Sequence, residues 1–165
     1  MHRVQGSKEV QLIECVNPVK NKWRVRWDVQ ESKDGSATFM EAEFLHKPTV
    51  AQIKEVIIPW YNSLIDQQIL SGFSYEGMKV WLSSENQFNY KSAYDLAVQT
   101  SGATLPVTFK FGTDEQPQYR KFETLSELSD FYTKAMTFIQ NTLANGWKQK
   151  DSVDWSKYGE EADNG

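Results

Sequence analysis

The chain has little of what most reactive sites are built from. It holds one cysteine, Cys15, which excludes an internal disulfide and a cysteine-rich metal centre. His2 and His46 are its only histidines, and without thiol partners or carboxylates at ligand spacing they predict no metal site. A Gly-x-Ser-x-Gly elbow, a Walker loop and a dinucleotide fingerprint are all missing, so no cofactor is expected. No apolar run reaches the ~18 residues of a membrane helix, which predicts no membrane partner. The opening Met1-His2-Arg3, followed by Gln5-Gly6-Ser7-Lys8, has no apolar stretch suited to a secretion signal. A cytoplasmic or virion-associated location is therefore expected. Nine Gly and five Pro are too few for a collagen-like or low-complexity chain.

What remains is 165 residues, 39% hydrophobic and 24% charged, a composition that folds. Asp151, Asp154, Glu160, Glu161 and Asp163 against Lys157 carry the whole net charge of −4, so residues 1–150 are neutral. A neutral body makes nucleic acid an unexpected partner, because binding phosphate requires clustered cations. Residues 151–165 read as an acidic, unfolded tail.

Hydropathy patterning predicts an α+β fold: an N-terminal antiparallel β-meander over residues 1–47, then helix, β-hairpin, helix, β-hairpin, helix over 48–150. Three strands make the meander. Val10, Leu12 and Cys15 lie in the first. Lys22 to Trp27 alternates strictly, with Trp23, Val25 and Trp27 opposite Arg24 and Arg26. After the Lys33-Asp34-Gly35-Ser36 turn, Met40, Ala42 and Phe44 oppose Glu41 and Glu43. His2 is placed in a mobile terminus. Capping boxes at Thr49–Gln52, Ser84–Gln87 and Thr124–Glu127 open three helices. Pro59 predicts a kink or two abutting helices in the first. Asn145-Gly146 predicts the end of the last, with Trp147 beyond it.

Few residues invite chemistry. Cys15 beside His46 would make a thiolate nucleophile only if tertiary folding joined them, and Cys15 reads first as a small buried hydrophobe. Glu41 and Glu43 share a strand face, as the paired acids of a hydrolase would, although a wet sheet face explains them. Lys20, Lys22, Arg24 and Arg26 form a basic row that would suit a nucleic-acid-binding regulator, but alternation sends Trp23 and Trp27 to the other face. Aromatic density is the stronger signal. The chain has 6 Trp, 7 Tyr and 9 Phe, and Phe73, Tyr75, Trp81, Phe88 and Tyr90 crowd a short window. These five are the candidate protein-contact surface, since Tyr and Trp join apolar area to a polar tip.

Gly72-Phe73-Ser74-Tyr75-Glu76-Gly77, Trp81 to Asn89, Gly102-Ala103-Thr104-Leu105-Pro106, Phe122 through Tyr132, and Leu143 to Trp147 occur in an order that resembles a phage-tail-associated domain of unknown function. That domain ends tail-fibre and tail-accessory proteins of phages and prophages. The resemblance covers residues 70–148, and Trp81-Leu82 departs from the aromatic-then-small-polar pair of many relatives. The family has no established activity, so no catalytic residue is carried over. The resemblance implies a non-enzymatic structural or assembly module whose partners are other phage-type structural proteins or a second copy of itself. A hydrolase using carboxylates and a regulator binding nucleic acid through Lys20–Arg26 are the alternatives.

Overall fold

A computed structural model describes residues 1–159. The fold is α+β, and it divides into two compact units, Met1–Trp60 with the chain from Ser152, and Tyr61–Asp151. Among the described residues no helix is long and apolar enough to cross a membrane.

The first unit is a four-stranded antiparallel sheet of β1 (His2–Ser7), β2 (Ile13–Asn17), β3 (Lys22–Glu31) and β4 (Ser36–Phe44), in the order β1-β4-β3-β2. The β2-β3-β4 meander follows the alternation pattern, with Val25 opposite Ala42 and Trp27 opposite Met40. One face buries Val25 and Trp27 under the first half of α1 (Val50–Ser71), where Ile53 and Ile57 are buried and the Trp60 ring stands edge-on to Trp27 at 5.8 Å. The boundary expected at residue 47 therefore moves to Trp60, because this stretch of α1 is the roof of the sheet. His2 is not in a loose terminus. It begins β1, whose polar sequence carries little alternation and whose strand character comes from pairing with β4.

The expected unfolded tail is also corrected in part. Asp154 caps a 3-10 turn at Trp155–Tyr158 by accepting from the Ser156 amide, and Lys54 sits 5.4 Å over the Trp155 ring. Tyr158 is buried and its hydroxyl donates to the Arg26 carbonyl at 2.8 Å. Two aromatic rings supply the apolar area that the acids of this segment lack. Residues 160–165, the rest of the expected tail, lie outside the described residues. Tyr158→Phe is expected to lower stability by about 1 kcal/mol, the worth of one hydrogen bond. Urea unfolding checks this as a shifted midpoint at an unchanged slope.

The second unit alternates hairpins and helices: β5 (Phe73–Tyr75), β6 (Met78–Val80), α2 (Ser84–Gln99), β7 (Val107–Gly112), β8 (Pro117–Phe122) and α3 (Leu125–Asp151). Glu76 and Gly77, both at positive φ, make the tight turn between β5 and β6. Capping boxes open α1 and α3 as expected: Thr49 Oγ1 accepts from Gln52 N while Gln52 Oε1 accepts from Thr49 N, and Thr124 with Glu127 repeats the exchange. At α2 the cap is one residue earlier. Ser83 accepts from the Asn86 amide, because Gln87 turns its side chain to the Leu82 carbonyl and completes no box at Ser84.

Neither Pro59 nor Gly146 ends its helix, so the alternative of two abutting helices at Pro59 is set aside. α1 is one helix through Pro59, whose ring lies on an exposed side. α3 runs through Gly146 to Asp151. Gly146 is buried against Ile65, where a Cβ would lie 2.2 Å from Ile65 Cγ1. Its missing side chain serves close helix packing, not helix termination.

Candidate functional site

Of the five candidate contact residues, three are core. Phe73, Tyr75 and Tyr90 are buried among Phe109, Phe111, Phe122 and Phe131, with ring centroids of Tyr75 and Tyr90 at 5.1 and 5.0 Å from that of Phe131. Edge-on and tilted rings at such spacings attract one another beyond the area they bury. Burial pushes the Tyr90 phenol up to about 12. Burial, then its hydrogen bond to the Asp130 carboxylate at 3.0 Å, raises Tyr75 to about 12 as well. These rings are therefore not a contact surface. Their clustering in the sequence reflects a core in which aromatic rings outnumber aliphatic side chains.

Trp81 and Phe88 remain at the surface. Trp81 is half-buried, fixed by its indole N–H donating to the Gly112 carbonyl at 2.8 Å and by Asn86 Nδ2 donating to the Trp81 carbonyl at 2.9 Å. Lys79 Nζ lies 4.8 Å over its ring, a cation–π distance. Trp81 thus lines a cleft of about 560 Å³ together with Lys110, Gly112, Asp114 and Glu115. Gly112, at φ +81°, has to be glycine, since a Cβ would lie 2.3 Å from the Gln116 carbonyl oxygen. A mutual hydrogen bond at 2.9 Å lowers the Asp114 carboxyl and raises the Lys110 ammonium.

Phe88 is 71% exposed in the early turns of α2. Helical spacing puts Ser84, Lys91, Ser92 and Asp95 on the same face, and Lys91 and Asp95 are ion-paired at 2.6 Å. The arrangement is one large apolar ring within a polar surround.

The reactive candidates are dispersed. Trp23 pairs with Cys15 on one flank and Phe44 on the other, and His46 packs its ring on Phe44 and reaches Gln52 Oε1 at 3.2 Å. The structure does not bring Cys15 and His46 together. Glu41 and Glu43 face the basic row instead of a cleft: Lys22 and Arg24 meet Glu43 at 2.8 and 3.2 Å, and Arg26 meets Glu41 at 2.8 Å. The face expected to be wet is partly dry, with Arg26 6% and Glu41 3% exposed. Arg26 also donates from Nη1 to the Gln11 carbonyl, and its backbone N–H pairs with the Leu12 carbonyl just ahead of β2. Burial alone would lower the Arg26 guanidinium, but hydrogen bonds and charge from Glu41 and Glu14 outweigh it and raise it. Among the described residues no three His, Cys, Asp or Glu side chains are grouped to hold a metal ion.

A second groove, of about 540 Å³, lies between the last turns of α1 and of α3. Sequence reasoning passed over it because Gly146 read as a terminator. The signal was present as Asn141, Asn145 and Gln149, four residues apart on one helix face.

Comparison with family models, with curated proteins and with solved structures gave no match.

Proposed function

We propose that the chain is a non-enzymatic docking or assembly module that works by protein contact, with Phe88 and the Trp81 cleft as its contact surface. The phage- or prophage-derived, tail-associated context rests on the family resemblance of residues 70–148. The observation that carries the reading is Phe88, a phenylalanine 71% exposed on a well-formed helix, in a unit that buries Phe73, Phe109, Phe111, Phe122 and Phe131 together. An exposed aromatic anchor inside a polar ring has the composition of an interface hot spot. Trp81 adds a rigid indole beside it in sequence. The paired state of Arg24, Arg26, Glu41 and Glu43 supports the reading from the other side, since those groups are already engaged with one another.

Self-association is the simplest form of such contact, because a symmetric pair uses one patch twice. Sedimentation velocity of the full chain is expected to show concentration-dependent association. Phe88→Ser should abolish it while leaving the thermal midpoint unchanged, as exposed substitutions shift stability by only about 0.5 kcal/mol. Association that survives Phe88→Ser, or a chain monomeric at every concentration that also binds no tail protein through this patch, contradicts the proposal.

A further inference from the structure

The groove between α1 and α3 shares no residue with the Trp81 cleft. Its lining is apolar at Leu64 and Ile65 of α1 and at Phe138 of α3, and carries the amides of Asn141, Asn145 and Gln149 along α3. None of its lining residues is charged, although 24% of the chain is. Asn141 and Asn145 are exposed and make no side-chain hydrogen bond among the described residues. The contact of Gly146 with Ile65 sets the two helices close and holds that apolar lining in place.

The spacing of the carboxamides selects an occupant. Positions four apart on a helix are separated by about 6 Å along its axis. An extended polypeptide repeats every two residues, about 6.6 Å. The Asn141 and Asn145 carboxamides can each donate to a carbonyl and accept from an N–H, so this pair matches one repeat of an extended strand's edge. Alternate side chains of such a strand would point to Leu64, Ile65 and Phe138. A charged side chain there would lose water and find no partner. From this geometry we infer that the groove binds an extended, uncharged peptide segment of a partner chain, with aliphatic residues at alternate positions. The inference goes beyond the Phe88 surface and does not depend on it.

The test uses the full chain labelled with nitrogen-15 and a panel of capped seven-residue peptides that alternate leucine or valine with serine or threonine. Panel members are expected to move the side-chain amide resonances of Asn141 and Asn145. The double variant Asn141→Ala, Asn145→Ala should weaken binding at least tenfold with its thermal midpoint retained. Peptides carrying lysine or glutamate in place of the aliphatic residues should bind at least tenfold more weakly. The inference is overturned if no panel member moves those resonances at millimolar concentration, or if binding is equal in the double variant. It is also overturned if a neutral dextran oligosaccharide moves them where the peptides do not. Phe88→Ser leaves this groove intact, so the two sites can fail separately.

Discussion

Glu41→Ala is expected to destabilise the sheet unit by about 3 kcal/mol, because it removes one of the two carboxylates, Glu41 and Glu14, that compensate the buried Arg26 guanidinium. Arg26 and Glu41 lie directly opposite on β3 and β4, joined Nε to Oε2 at 2.8 Å. A domain of this size is stable by only about 5–15 kcal/mol, so the loss is a large fraction of the whole. Exposed Arg24 and Glu43 are the internal control: their pair at 3.2 Å is solvated, and Glu43→Ala should cost less than about 1 kcal/mol. Replacing the buried pair with Met at 26 and Leu at 41 should recover most of the loss, since the desolvation cost of both charges disappears together. Urea unfolding of the three variants checks the ordering. A Glu41→Ala chain no weaker than Glu43→Ala would mean that water reaches Arg26.

The second large effect is at Gly146. In a solvated helix Gly→Ala stabilises by about 1 kcal/mol. Here the new methyl would meet Ile65 Cγ1 at 2.2 Å and Cδ1 at 2.5 Å, and a β-branched side chain on a helix has few rotamers into which to retreat. Gly146→Ala should therefore destabilise, reversing the usual sign, and Gly146→Leu should cost about 3 kcal/mol by overpacking. Shortening the obstacle with Ile65→Ala should relieve part of the Gly146→Leu loss. That coupling, measured in a double-mutant cycle, belongs to the contact itself and not to helix propensity. Additive losses, or a Gly146→Ala chain more stable than the parent, would show that α1 and α3 do not meet there.

These two sites also show how far the sequence could be read. The alternation of Lys22 to Trp27 and of Met40 to Phe44 carried strand type and facing. Whether the charged face is wet or dry was not local information, since Arg26 is enclosed by partners distant in sequence, among them Gln11, Glu14 and the Phe39 ring. Gly146 and Pro59 punctuate helices by local rules, and tertiary contact overrode the rule at Gly146. At Pro59 one missing hydrogen bond on an exposed side was not enough to end α1. β1 escaped notice because Arg3, Gln5 and Ser7 are polar and Gly6 has no side chain, so only β4 defines the strand.

The contact surface was half legible. Aromatic density marks the window from Phe73 to Tyr94 but does not say which rings face inward. Periodicity held that information: Phe73 and Tyr75 are two apart on one face of a strand, and Tyr90, Ala93, Tyr94 and Ala97 form a helical stripe. Phe88 falls off the stripe. Its position on the polar side of α2, among Ser84, Lys91 and Asp95, is what separates it from the core rings.

The most direct measurement of the docking account is photo-crosslinking from position 88, with p-benzoylphenylalanine in place of Phe88 in the full chain. Covalent adducts to a second copy, or to a tail structural protein supplied with it, are expected from position 88. None is expected from a matched probe at exposed Gln118 of β8. Equal adducts from both positions, or none from position 88, would contradict the claim that this exposed ring is where the protein makes its contacts.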